Sequence, residues 1–525
     1  MRKIEKIQII KNVGSSWFAL GVNVLVGFFL SPFILHRLGD AAFGIWVLIF
    51  SLTGFYGIFD FGIRSSIIRY VSKYTATQDL EEVSGLLNTA MFTYICVAAF
   101  SMLLTVVGFI YIDRMFPKIQ PDFRSTARWL LLVVGTSVAL GFPLGIFGGI
   151  LEGLQKFYFL NWTNIGFSSI LRVVLIVYYL NRGYGLLTVA LITVGLPILG
   201  SVVRAAVALR SIPLKFSWKY VHRDAFRHMA NYSGVTFMII VGARLRFKTD
   251  ALVIGTFLSS AAITYFYAGS RLLDYAGEVV SSLAQIFVPM SSQSDAAGNL
   301  DRLRKIFVVG NRACAFTTLP MTAIFLILGK SLIEVWVGKR YVEQGYPILV
   351  VLTIPYTIML VQSASNRILY GMGKHGKLAV VTMIEGVSNV ALSILLVRPF
   401  GIMGDAVGTA IPLAGTFLAF MPFHLCSRLG IKMGTYLRQA YLLPLILCVP
   451  MSAVLLLMQH WGAPHTYWQL AVHLLAGGLT YMVCLGWAYA TNRVLQVVDL
   501  SPSGQKPGSE ISSLAANFEV NEGDL

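Results

Sequence analysis

Charge is what this sequence has least of. Only 12% of its 525 residues are Asp, Glu, Lys or Arg, whereas 56% are hydrophobic, and the mean hydropathy is +0.72. Water-soluble domains carry about 25% charged residues, so a soluble fold is excluded and a polytopic membrane protein is left. Cysteine is scarce as well. All five, Cys96, Cys314, Cys426, Cys448 and Cys484, fall within apolar runs, and none stands in CxxC spacing. They read as small apolar residues, which excludes a disulfide framework and a thiolate metal site. The eight histidines have no metal-ligand spacing, and His36, His222, His460 and His465 read as interfacial. No P-loop, GxGxxG, HExxH or Gly-x-Ser-x-Gly is present. ATP hydrolysis and nucleophilic catalysis thus lack their signatures, and the expectation is a transporter with no cofactor and no metal centre.

Long apolar runs stand in their place. Runs of roughly 20 residues, enough to cross a bilayer as an α-helix, fall at 12–35, 41–63, 86–112, 127–151, 158–180, 184–209, 231–257, 261–289, 304–329, 345–371, 377–397, 402–426, 436–458 and 467–490. The expected fold class is all-α, a polytopic membrane protein of about fourteen transmembrane helices. The first run is too long for the apolar part of a signal peptide and reads as span 1. A net charge of +17 would suit nucleic acid, but the placement of the charges excludes that partner. Segments on the N-terminal side of the membrane hold 23 Lys and Arg, the opposite loops hold 10, and the other 8 lie inside spans. The positive-inside rule then puts both termini in the cytoplasm, with basic loops drawn to anionic membrane lipids.

The chain also repeats itself. A shift of 220 residues places Gly14 on Gly234, Trp17 on Phe237, Ala41-Ala42 on Ala261-Ala262 and Ser72 on Ser292. A shift of 218 places Ile150-Leu151 on Ile368-Leu369, Gly153 on Gly371 and Lys156 on Lys374. Register holds across six spans, and six is even, so both copies enter the membrane the same way round. The expected organisation is a six-helix bundle over 1–209, a basic cytoplasmic linker over 210–230 and a second six-helix bundle over 231–430. Two additional helices follow over 431–490, and a polar tail over 491–525 has the composition of a disordered segment.

Spans 7 and 8 carry charges that a bilayer penalises. Span 7 holds Arg244, Arg246, Lys248 and Asp250, and span 8 holds Arg271, Asp274 and Glu278. At ~1.5 Å per residue, Arg246, Lys248 and Arg271 share one depth, roughly 15 Å below the outer surface. An unpaired charge there costs at least ~2.5–3.5 kcal/mol and marks a pathway by default. Tyr267, Arg271, Asp274 and Glu278 follow i, i+4, i+7, i+11 spacing, a polar stripe on one helix face. The competing reading is a set of internal salt bridges, such as Arg246–Asp250 at i, i+4. Yet cations outnumber acids four to three, and the first copy of the repeat has Val24, Phe28, Leu30 and Ser51 where the second has Arg244, Lys248, Asp250 and Arg271. Charges confined to one copy fit an asymmetric, anionic ligand.

Arg244, Arg246, Lys248 and Arg271 are therefore the expected substrate-binding residues. Asp60 in span 2, together with Asp250, Asp274 and Glu278, supplies the carboxylates expected to line the cavity or to carry a coupling proton or sodium ion. Asp60 also stands four residues before Arg64, within reach of a simple ion pair. Arg172 and Glu385 are further charges within spans. Arg204, Arg312 and Arg367 sit near cytoplasmic span ends, where snorkelling accounts for them.

One stretch carries a family likeness. Leu38-Gly39-Asp40-Ala41-Ala42-Phe43-Gly44-Ile45-Trp46, continued by Phe59-Asp60-Phe61-Gly62-Ile63 and Ser66-Ile67-Ile68-Arg69-Tyr70, resembles the opening of the Wzx-type lipid-linked oligosaccharide flippases. These belong to the multidrug/oligosaccharidyl-lipid/polysaccharide (MOP) exporter superfamily. Thr249-Asp250-Ala251-Leu252-Val253-Ile254-Gly255 resembles the opening of their second half, and the likeness runs over about residues 8–430. The resemblance implies a V-shaped pair of bundles, alternating access, and a cationic cavity lined by spans 1, 2, 7 and 8. It implies as substrate a polyprenyl-pyrophosphate-linked oligosaccharide, an O-antigen or exopolysaccharide repeat unit, turned across the bacterial cytoplasmic (inner) membrane. A polysaccharide polymerase and other assembly proteins would be its partners. Fourteen spans rather than twelve is a departure that leaves a peptidoglycan lipid-precursor flippase open. A cation-coupled multidrug antiporter on the same scaffold would favour an acidic, aromatic cavity, against the positive balance here. A membrane glycan polymerase or ligase would need a large external loop, and the loops are short.

Overall fold

The computed structural model describes residues 3–77, 79–212, 237–494 and 496. Most of the expected linker, the first residues of span 7 and the polar tail from 497 lie outside these. Among the described residues every regular element is a helix, as a bilayer requires of chains that must satisfy their own backbone groups.

The first half comprises α1 (Lys3–Leu38), α2 (Asp40–Gly54), α3 (Ile63–Thr77), α4 (Leu80–Met115), α5 (Pro121–Gly153), α6 (Phe157–Thr163), α7 (Arg172–Asn181) and α8 (Leu186–Ser211). A π-helical turn, Asn164–Leu171, joins α6 to α7 as one span. The second half comprises α9 (237–248), then α10 (Asp250–Phe257), α11 (Ser260–Ala284), α12 (Phe287–Ala296), α13 (Leu300–Trp336), α14 (Val342–Leu360), α15 (Ser363–Gly371), α16 (Gly376–Gly415) and α17 (Met421–Leu429). The last two spans are built from α18 (Met433–Leu437), α19 (Leu443–Trp461) and α20 (Tyr467–Ala490). Helices start where the sequence offers a cap. The Asp79 carboxylate accepts from the Glu82 amide at 3.0 Å, Ser259 Oγ from the Ala262 amide at 3.1 Å, and Asn299 Oδ1 from the Arg302 amide at 2.9 Å.

Among the described residues, eleven helical stretches are long and apolar enough to cross a membrane. The longest, Gly376–Leu429, is two spans, because α16 folds back at Gly401 (φ 60°, ψ −142°). A residue with a side chain is strained at that φ. The two arms of the hairpin then touch closely: a Cβ on Gly404 would lie 2.0 Å from the Leu396 carbonyl oxygen. Spans 7 and 8, with their charges, fall outside the eleven, so fourteen spans fit.

Two spans end earlier than their apolar runs. Span 2 passes from α2 into a 3₁₀ turn, Phe55–Asp60, and ends at left-handed Phe61 (φ 47°) and Gly62 (φ 74°). Gly54, Gly57 and Gly62 within nine residues weaken the helix there. Span 8 stops at Ala284 rather than 289, and α12 starts afresh with Pro289 in its first turn, a position where proline is tolerated.

Two hydrophobic cores show how the halves meet. One belongs to the first half alone and includes Ile67 and Val71 of α3, Leu87 of α4 and Ile150 of α5. The other runs through both halves, joining Leu35 of α1 and Leu48 of α2 to Ile254 of α10, Ile263 of α11 and Trp336 of α13. Among the described residues, the halves therefore share a core where α1 turns into α2 and keep separate cores toward the other end.

The shared end is closed by polar contacts as well. The Asp40 carboxylate accepts from Arg340 at 2.7 Å and from the Tyr341 hydroxyl, while its carbonyl accepts from Thr264 Oγ1 at 2.8 Å. Trp336 Nε1 donates to the Phe28 carbonyl at 2.6 Å, and the two rings stack. Where α2 crosses α11 there is no room for a side chain: a Cβ on Gly44 would lie 1.7 Å from the Ser260 carbonyl oxygen.

Candidate substrate cavity

Three cations in α9 do not face one way. Residues four apart share a helix face, whereas residues two apart point about 200° from each other. Arg244 and Lys248 accordingly face the first half. Arg244 Nη2 lies 2.8 Å from where a Gly57 Cβ would be, and the Lys248 stem lies 3.8 Å from the same point on Gly54. The broken end of span 2, bare of side chains at these two glycines, makes room for them. Arg246 turns the other way and bonds Glu385 of α16, the two side chains being 8% and 1% exposed. Its guanidinium also lies over the Phe247 and Phe417 rings. The i, i+4 pair with Asp250 does not form; Glu385, 139 residues along the chain, takes that role.

A cavity of about 530 Å³ opens beside α9, α11, α14 and α15. Of the expected substrate-binding residues it brings together Arg246, Lys248 and Arg271, and of the expected carboxylates Asp274 and Glu278. The stripe on α11 holds as one face. Arg271 reaches Asp274 at 3.3 Å and Glu278 at 3.7 Å, and its guanidinium covers the Tyr275 ring at 4.4 Å. Tyr267, one turn up the same face, donates to Ser31 Oγ at 3.1 Å. All three charged side chains of the stripe stay partly exposed, Arg271 at 28% and the two acids at about 40%. Lys248 pairs with no carboxylate among the described residues.

The remaining expected residues lie elsewhere. Arg244 is not part of the cavity wall. Asp250 faces the α16 hairpin, where Thr409 Oγ1 donates to it at 3.0 Å and itself accepts from Asn389 Nδ2 at 2.9 Å. Asp60 sits in the first half, accepting from the Tyr94 hydroxyl at 2.5 Å, while Arg64 pairs with Glu152 at 2.5 Å. Sequence reasoning passed over one residue of interest and gave another a different role. Asp405, next to Asp250 in the hairpin, is fully buried with neither carboxylate oxygen bonded; its position inside an apolar run was a legible signal. Arg367, assigned to snorkelling, lines the cavity and has no ion pair among the described residues.

A multi-pass helical fold in two halves, closed at one end and holding a charged cavity, is that of a membrane transporter. Over residues 34–345 the chain matches the family described as "Polysaccharide biosynthesis protein", and it belongs to that family. It is 20% identical over 426 residues to a Shigella flexneri protein described as "Putative O-antigen transporter", across 80% of this chain and 99% of that one. Two solved structures share its fold. One is the lipid II flippase MurJ in an inward closed conformation, with TM-score 0.69, 17% identity and coverage of 92% of this chain and 99% of that one. The other is an inward-facing multidrug resistance MATE family transporter of the MOP superfamily, with TM-score 0.64, 14% identity and coverage of 78% and 94%. The likeness to Wzx-type flippases of the MOP superfamily, drawn from the residues around Asp40 and Asp250, agrees with these matches.

Proposed function

We propose that this chain flips a polyprenyl-pyrophosphate-linked oligosaccharide, of O-antigen or exopolysaccharide type, across the bacterial cytoplasmic membrane by alternating access. The observation that carries this reading is the cavity itself, where Lys248, Arg271 and Arg367 offer cationic groups inside a membrane fold. A glycan and a pyrophosphate cannot cross hydrocarbon unaided, while a polyprenyl tail can stay in it. The family match and the description of the Shigella relative support the polysaccharide side of the reading. Arg271 suits the pyrophosphate best, because its planar fork fits phosphate oxygens. Each charge-assisted hydrogen bond it makes there contributes about 1.5–3 kcal/mol. Asp274 and Glu278 hold that fork open toward the cavity until an anion displaces them.

By the same proposal both termini are cytoplasmic and the closed end faces outward, so the described conformation is the one open to the cytoplasm. Transport is coupled to a proton or sodium ion. Asp250 and Asp405 are the carboxylates best placed for it, since Asp405 is buried with free oxygens and Thr409 and Asn389 add neutral ones. The deciding experiment reconstitutes the full chain in sealed vesicles, with no enzyme partners, and follows a pyrophosphate-linked glycolipid from one leaflet to the other. Arg271→Ala should slow that movement by roughly tenfold or more, the equivalent of one lost charge-assisted bond. Absence of any movement with the unaltered chain would sink the reading.

A further inference from the structure

We infer that one face of α15 is a sugar-recognition subsite for the part of the glycan next to the pyrophosphate, with Arg367 as its specificity-determining residue. This rests on the flippase reading above and deepens it. Ser363, Asn366, Arg367 and Tyr370 all line the cavity. Their i, i+3, i+4, i+7 spacing puts them on one helix face. The other face of the same helix is packed, with Ala364, Ile368 and Leu369 fully buried. A helix that only needed to pack or to face lipid would not carry a hydroxyl, an amide, a guanidinium and a phenol in one row. Those four groups supply the mixed donors and acceptors that a ring of hydroxyls and acyl substituents needs.

The face is held in place from both ends. Span 10 breaks after Leu360 and restarts at Ser363. Between them, Gln362 Nε2 donates to the Ile358 carbonyl at 3.1 Å and to the Phe417 carbonyl at 2.6 Å, tying the restart to the turn that follows α16. At the far end, the Tyr370 ring stacks on His375, with centroids 5.0 Å apart and planes 23° apart. His375 lies between spans, and burial lowers its imidazole below the ordinary value. It therefore stacks as a neutral ring near pH 7 and adds no charge to the mouth.

Depth separates this face from the phosphate cations. A Cβ on Gly277 of α11 would lie 3.8 Å from the Leu360 side chain, so Leu360 is level with the stretch between Asp274 and Glu278. Arg367 stands seven residues beyond Leu360, about 10 Å nearer the open end. That offset suits a sugar or two attached to a pyrophosphate held at Arg271. Arg246 and Arg271 each have carboxylate partners, whereas Arg367 has none among the described residues. Its five donors are thus free for a sugar that presents a carboxylate or an acyl carbonyl oxygen.

The test uses the full chain in lipid nanodiscs and two probes. One is undecaprenyl pyrophosphate; the other is the pyrophosphate-linked glycolipid extracted from source cells that lack this chain. Arg367→Gln should weaken glycolipid binding by roughly tenfold or more and leave undecaprenyl pyrophosphate binding unchanged. Arg367→Lys should recover only part of the loss, because it keeps the charge without the fork. Tyr370→Phe, which keeps the ring and its stack, and Asn366→Ala should show the same selective loss in milder form. They carry the comparison if Arg367→Gln fails to fold. Arg271→Ala should weaken both probes together. Equal loss of both probes in the α15 variants would make Arg367 one more phosphate cation and overturn the subsite. Unchanged binding of both would return Arg367 to snorkelling and overturn the subsite as well. If the unaltered chain binds neither probe, the flippase reading itself fails, which is a distinct result.

Discussion

Arg271 is held by two acids of its own helix, at 3.3 and 3.7 Å, and under the proposed function a pyrophosphate would displace them. Two roles are therefore open to it, substrate binding and internal neutralisation, and a charge swap separates them. Arg271→Glu combined with Glu278→Arg keeps the pair and should insert normally yet stay inactive in the vesicle assay. Full recovery of flipping would make the residue structural. The Arg246–Glu385 pair is a different case, because both side chains are buried. Glu385→Gln strands a buried guanidinium and should cost about 3–5 kcal/mol, whereas Arg246→Met with Glu385→Leu should cost far less. Unfolding in detergent measures both. An equally large loss in the double variant would show that packing, and not an unpaired charge, sets the cost. The charges themselves were legible in the sequence, since each stands out in an apolar run. Their partners were not: nothing local to Arg246 points to a residue 139 positions away, and the local candidate, Asp250, is spoken for by Thr409.

At the scale of elements, apolar run length gave the spans but not their interruptions. The 3₁₀ turn at Phe55–Asp60 and the restart of span 10 at Ser363 lie inside continuous apolar pattern. Their causes are glycine spacing in one case and a side chain, Gln362, that bonds another span in the other. The hairpin at Gly401 was legible because two apolar runs met there with Pro399 and Gly401 between them. The contact between α2 and the turn just before α14 yields a prediction of its own. Asp40 accepts from Arg340 and Tyr341 and so holds the two halves together at the closed end. Asp40→Ala should loosen that end. In a chain whose native cysteines are replaced, a cysteine at buried Thr264 should then react with a soluble thiol reagent markedly faster than with Asp40 intact. An unchanged rate would mean that the apolar core alone keeps the end shut.

For the whole molecule, the distribution of basic residues predicts an orientation that labelling can test. Cysteines placed at Lys219 and Gln505 should resist an impermeant thiol reagent in intact cells, and one at Gln120 should react. Labelling at Lys219 from outside would reverse the topology. The duplication leaves the last two spans outside it, which the sequence reads as an appendage. The structure ties them in through Arg312, which donates to the carbonyls of Gln439 at 2.8 Å, Val494 at 2.7 Å and Gln496 at 2.9 Å. Ending the chain near Gly434 would strip those acceptors from a side chain only 4% exposed. The shortened chain should therefore be unstable on its own and regain stability with Arg312→Leu, a charge-free replacement. If that rescued form inserts yet moves no glycolipid, the appendage belongs to the pathway. The closed end has one more consequence, and it concerns time. At Gly44 two backbones meet without a side chain between them, and packed contacts of this kind have discrete arrangements rather than a continuous range. Opening would then be a rare, abrupt event whose waiting time is set at the seam. Long and short glycans should leave at the same pace, as travellers through one turnstile do whatever they carry.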